Sequence, residues 1–78
     1  MAIIYTKHAE EMLAFRKIRK EFVEKCLKNP DDKLPAKEGK LAYFKNFGKN
    51  YLKVIVSEEG KDLIVVTPYW FAKKKVKK

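Results

Sequence analysis

Between Ala9 and Leu27 the apolar residues change direction. Ala9, Met12 and Leu13 recur at helical spacing and share a mean direction of about 173° on a helical wheel. Ile18, Phe22, Val23, Cys26 and Leu27 share a direction of about 88° in the same frame. One straight helix on one core does not shift its stripe by about 85° in mid-course. The pattern therefore predicts two helices, about 7–15 and 20–28, with a bend at Arg16-Lys17-Ile18-Arg19. No Gly or Pro marks that bend. Thr6 suits the N-cap of the first helix, and Glu10 and Glu11 lie near its positive end. Asn29-Pro30 ends the second helix, because a residue before proline is pushed out of the helical region.

The rest of the chain has a different period. Residues 29–40 hold Pro30, Pro35, Gly39 and three acids, and read as a connector. Residues 41–47 read as an aromatic-rich strand and 48–50 as a short hairpin loop. In the next strand, 51–57, Leu52, Val54 and Val56 share one face, with Tyr51, Lys53, Ile55 and Ser57 on the other. Residues 58–61 form a second turn. The stretch 63–66 is apolar on both faces, as a well-covered strand requires. Pro68 limits further ladder pairing. Residues 2–5 are a candidate fourth strand at an edge. The expected fold is α+β: two N-terminal helices packed on an antiparallel three-stranded meander, in the order β-α-α-β-β-β. It occupies residues 1–72 as a single domain, followed by a basic, disordered tail over 73–78.

Composition bears on partners. The 78 residues carry 19 Lys/Arg against 10 Asp/Glu, a formal charge of +9. Five lysines and no acid fall in residues 73–78, so 14 basic and 10 acidic groups remain over 1–72. Such a balance favours polyanions, nucleic acid first and an anionic membrane surface second. The length excludes a cofactor domain with a separate substrate domain. Cys26 is the single cysteine, which excludes an internal disulfide and a cysteine zinc site. Its apolar neighbours predict a buried thiol in a reducing, cytoplasmic setting. No uncharged run approaches the ~18 residues of a spanning helix, so stable membrane insertion is not expected. The absence of glutamine beside 24 Lys and Glu residues leans towards a thermophilic source. No metal or cofactor is expected, since the sequence holds no zinc spacing, Gly-rich phosphate loop or serine-histidine-acid set.

Two groups of residues could carry chemistry. Histidine titrates near neutrality when unperturbed, and His8 is the only one in the chain. Cleavage of RNA through its own 2′-hydroxyl needs a base, an acid and positive charge on the phosphate. His8 suits one proton transfer, with Lys45, Lys53 or Tyr69 for the other, and Arg16 suits a bidentate phosphate clamp. The structural alternatives are a His8 that hydrogen-bonds across to the sheet and an Arg16 that binds a carboxylate or exposed carbonyls at the bend. In the second group, Tyr43, Lys45, Lys49, Tyr51 and Lys53 interleave cations with rings, as single-stranded RNA recognition requires. The alternative there is an ordinary solvated sheet face. Trp70-Phe71 followed by Lys73-Lys74-Lys75 suits a grip on nucleic acid or an anionic bilayer, or a docked aromatic end before a solubilising tail.

Tyr5-Thr6-Lys7-His8-Ala9, then Phe15-Arg16-Lys17-Ile18, Phe22-Val23, Leu27-Lys28-Asn29-Pro30 and Ile64-Val65-Val66-Thr67 form an ordered set. The set resembles a family of small domains of unknown function with a T-x-H-A, R-x-I and N-P pattern. That family is similar in pattern and size to the BrnT-type toxins, which belong with the RelE-like ribonuclease toxins. The resemblance covers residues 4–69 and implies a RelE-like fold, RNA as a partner, metal-independent ribonuclease activity and an antitoxin protein that masks the basic face. Thr6, His8 and Arg16 match its polar positions. Glu11 stands where the family often has arginine, and Lys17 where it often has glycine. A non-catalytic nucleic-acid-binding module and a protein-interaction domain are the competing expectations.

Overall fold

Thr6 joins the two halves of the architecture. The computed structural model describes residues 2–72. Its chain forms β1 (Ile3–Tyr5), α1 (Lys7–Arg16), α2 (Lys20–Lys28), β2 (Asp32–Pro35), a 3-10 turn (Lys37–Gly39), β3 (Leu41–Asn46), β4 (Asn50–Glu59) and β5 (Asp62–Ala72). The Thr6 hydroxyl accepts from the backbone N–H of Ala9 at 3.0 Å, which caps α1, and donates to the carbonyl of Val65 at 3.2 Å, which ties that cap to β5.

The class is α+β, as expected, but the sheet is mixed and has five strands in the order β1-β5-β4-β3-β2. β1 runs parallel to β5, and the other pairs are antiparallel. Both helices lie on one face. Val23, Cys26 and Leu27 of α2 and Ala9 and Leu13 of α1 bury against Leu52, Val54, Val56 and Val65. The alternation expected in β4 therefore holds, with all three of its inward residues fully buried.

The break between the helices is a left-handed residue. Lys17 takes φ 58 and ψ 46, its N–H donates to Ala14 at 3.3 Å, and the N–H of Ile18 donates to Leu13 at 2.8 Å. This is the helix-ending arrangement that glycine usually serves, with Ile18 folded back onto the core. A left-handed residue with a side chain costs about 1 kcal/mol. The turn resets the direction of the core-facing stripe, which accounts for the phase jump.

Two expectations are corrected. The connector 29–40 contains β2, an exposed edge strand paired with β3 from Asp32↔Phe44 to Pro35↔Leu41. Its sequence, Asp-Lys-Leu-Pro, has neither alternation nor strand propensity; the pairing comes from the open edge of β3. Strand pairing also continues past Pro68 to Ala72↔Asn50. β1 covers β5 only at residues 63–65, so beyond Val65 the outer edge of β5 has no strand against it among the described residues. Pro68 lacks its N–H on that free side, and its carbonyl there accepts from Arg16 Nη1 at 3.4 Å. Val66 is left unpaired between Val56↔Val65 and Ile55↔Thr67, a β-bulge. The basic tail expected over 73–78 lies outside the described residues.

Lys17 forms no ion pair among the described residues, so Lys17→Gly should raise stability by about 0.5–1 kcal/mol in urea unfolding, after glycine's own entropy cost. A second expectation concerns alkaline pH. The Tyr5 hydroxyl is buried with no hydrogen-bond partner among the described residues. Burial, reinforced by the negative charges of Glu24 and Glu10, pushes its ionisation from 10.0 up to about 12. Above pH 10 the unfolded chain loses this proton first, so the contribution is whole below 10 and fades as pH rises towards 12. Tyr5→Phe should keep full stability at neutral pH and show a shallower decline across that window, read from urea midpoints at each pH.

Candidate functional site

The face of the sheet away from the helices is where the polar chemistry gathers. Strand register sets its rows. Ala42, Ile55 and Thr67 form one row, Phe44, Lys53 and Tyr69 the next, and Asn46, Tyr51 and Phe71 the last. The intervening rows, Tyr43-Val54-Pro68 and Lys45-Leu52-Trp70, point towards the helices. Together with the segment 34–40, the open face walls a groove of about 710 Å³ whose floor includes Ala42, Ile55 and Val66. Leu34, in its wall, is an exposed large apolar residue, as is Phe71 farther along the same face.

Lys53 stands at the middle of this surface. Its Nζ lies 5.8 Å from the ring centre of Phe44, 5.6 Å from that of Tyr69 and 6.0 Å from that of Phe71. Tyr69 and Phe71 are nearly parallel, 8° apart with ring centres separated by 6.5 Å. Arg16 reaches round the free edge of β5 and places its guanidinium carbon 4.8 Å above the Tyr69 ring. Tyr69 is thus contacted by two cations. Neither Arg16 nor Lys53 forms an ion pair among the described residues. A guanidinium carries five N–H donors, and Pro68 takes one of them here. The arrangement offers flat rings for stacking, cations for a phosphate, and a phenol and an amine beside one another for proton transfer.

The residues singled out by sequence are distributed over three places. Arg16, Tyr69, Lys53 and Tyr51 meet on or at the open face. Lys49 is exposed in the β3–β4 turn. Tyr43 and Lys45 face the helices instead. Tyr43 is 4% exposed and belongs to the core. Lys45 Nζ donates to the carbonyl of Asn29 at 2.9 Å, which satisfies the C-terminal end of α2. His8 is exposed in the first turn of α1, with no hydrogen bond to the sheet. Arg16 is the last residue of the same helix, about 12 Å away along its axis. The structure does not bring His8 to the Arg16–Tyr69 pair. Arg16 binds a carbonyl, but that of buried Pro68 in β5 rather than one exposed at the helix bend. Trp70 is docked against Phe22 and Phe47, with ring centres at 5.8 and 5.9 Å, while Phe71 faces the other way.

The sequence reading does not single out Phe44, and it reads Phe71 together with Trp70 rather than with Lys53 and Tyr69. The signal for them is the pairing register: once Asn46 stands opposite Tyr51, Phe44 must stand opposite Lys53. Burial pushes the Cys26 thiol up to about 12, and its sulfur lies 3.8 Å from the carbonyl of Leu52, so it takes no part in surface chemistry. Among the described residues, no three His, Cys, Asp or Glu side chains gather as metal ligands, and no helix is long and apolar enough to cross a membrane.

No curated protein and no solved structure matches the chain. A family model does match, over residues 5–70, from the last residue of β1 to the Trp70 that closes the helix-side core; the chain belongs to the family described as Domain of unknown function (DUF4258).

Proposed function

We propose that this domain binds single-stranded RNA on the helix-free face of its sheet. The observation that carries the reading is Lys53 set among the rings of Phe44, Tyr69 and Phe71, with Arg16 over Tyr69. Rings on an uncovered sheet stack bases, and unpaired cations beside them neutralise phosphates. The formal charge of +9 supports a polyanionic ligand. The likeness in pattern to BrnT- and RelE-type toxins supports the same ligand class, and an antitoxin-like protein covering this face would mask it.

The adjacency of Arg16, Tyr69 and Lys53 favours a second reading, a metal-independent ribonuclease. There Tyr69, in its phenolate form, would take the proton of the 2′-hydroxyl, whose oxygen attacks phosphorus. Lys53, as its ammonium, would protonate the departing 5′-oxygen, leaving a cyclic phosphate. Arg16 would stabilise the charge that builds on the phosphoryl oxygens.

The test is a labelled single-stranded RNA of roughly ten nucleotides, followed by anisotropy and by gel, with and without EDTA. Affinity should fall steeply between about 50 and 200 mM salt. Phe71→Ala should weaken binding by about 1–3 kcal/mol, and Lys53→Ala should reduce the salt slope by about 0.7. His8→Ala should bind as the wild type does. If the RNA is cut, cutting should survive EDTA and His8→Ala, and Tyr69→Phe should lower it by a factor on the order of 100 while binding is kept. No binding at low salt would leave the face to a protein partner.

A further inference from the structure

The sheet's two faces meet at the β3–β4 turn. Tyr51↔Phe71 is the last pair on the open face, Leu52↔Trp70 is the last towards the helices, and Asn50↔Ala72 closes the ladder. Behind the turn, Phe22, Phe47 and Trp70 pack edge to face, with ring centres 5.2, 5.8 and 5.9 Å apart. They do not fill the space they enclose. A pocket of about 480 Å³ remains, with aromatic walls and a rim of Gly48, Lys49 and Asn50. That rim is braced: Phe47 N–H donates to the carbonyl of Asn50 at 2.8 Å, and Gly48 N–H to the side chain of Asn46 at 2.8 Å. Gly48 sits at φ +96, a conformation that side chains rarely adopt.

We infer that this pocket takes one nucleobase, from the same strand that crosses the open face; the inference rests on the RNA reading above. Three features point to a base rather than another flat apolar group. The walls are rings, against which a base stacks whatever its identity. The rim is polar, which suits a base's hydrogen-bonding edge. A cation stands on the rim: Lys49 is exposed with no ion pair among the described residues. An apolar partner without charge would not need it, whereas a base brings a phosphate with it. Lys53 and Asn50 are three residues apart on β4, about 10 Å, so a few nucleotides span both sites.

Trp70 is the only tryptophan, so its fluorescence reports this pocket in the unmodified full chain. Oligoadenylate and AMP are titrated separately, with anisotropy of a labelled oligoadenylate in parallel. Quenching of Trp70 should track the anisotropy, and Phe71→Ala should still quench at saturation. Phe47→Leu should bind about fivefold more weakly or worse with an unchanged circular dichroism spectrum. Lys49→Ala should lower the salt slope by about 0.7. Anisotropy that rises while Trp70 fluorescence stays constant overturns this inference and leaves the open-face reading standing. No anisotropy change at all removes both. Quenching by AMP but not by oligoadenylate overturns the shared-strand site and makes the pocket one for free nucleotides. If Phe47→Leu unfolds, the Trp70 signal of the unmodified chain and the Lys49→Ala slope decide.

Discussion

Among the described residues, two helices of ten and nine residues are all that covers a five-stranded sheet. They cover one face. Every strand long enough to alternate must therefore give half its side chains to a surface that no helix shields. In β3, β4 and β5 those residues are not the small polar ones of an ordinary solvated face. They include Phe44, Ile55, Val66 and Tyr69, half-buried against one another, with Lys53 among them. The candidate site follows from that shortage of cover, and so does the amount of apolar surface that a ligand would remove from water.

Arg16 shows how fold and site share a residue. β1 is three residues long and leaves the outer edge of β5 open beyond Val65. Such an edge invites pairing with another chain, and proteins blunt it with proline and with charge. Pro68 removes a donor, and Arg16 occupies the Pro68 carbonyl. The same guanidinium lies over the Tyr69 ring on the open face. A side chain placed to protect the edge thereby carries unused donors to the site.

The helices and their break are readable from sequence because a 3.6-residue period carries a phase, and a shift in phase records a turn in the backbone. The left-handed lysine that makes the turn has no such signature, since nothing in Arg-Lys-Ile marks φ above zero. β2 is invisible for a related reason: its residues prefer no strand, and only the edge of β3 makes them one. The site was half legible. Alternation in β4 assigns Tyr51 and Lys53 to the face opposite Leu52, Val54 and Val56. β3 offers no such contrast, because Leu41, Ala42, Tyr43 and Phe44 are apolar or aromatic in succession. Its phase comes from the closure of the 47–50 turn, and with it the exchange of Tyr43 and Lys45 for Phe44. Phe71 needs the bulge at Val66 as well, a feature with no local sequence mark.

The parallel pairing of β1 with β5 sets the order in which the domain can be completed. Ile3 waits for Leu63 and Tyr5 for Val65, and the cap of α1 is anchored on that same Val65 carbonyl. These contacts close a loop of about sixty residues, and loops of that span form late and slowly. Until β5 is in place, the apolar residues of both helices have no sheet to bury against and the cap of α1 has no anchor, so helices and sheet are completed together rather than in turn.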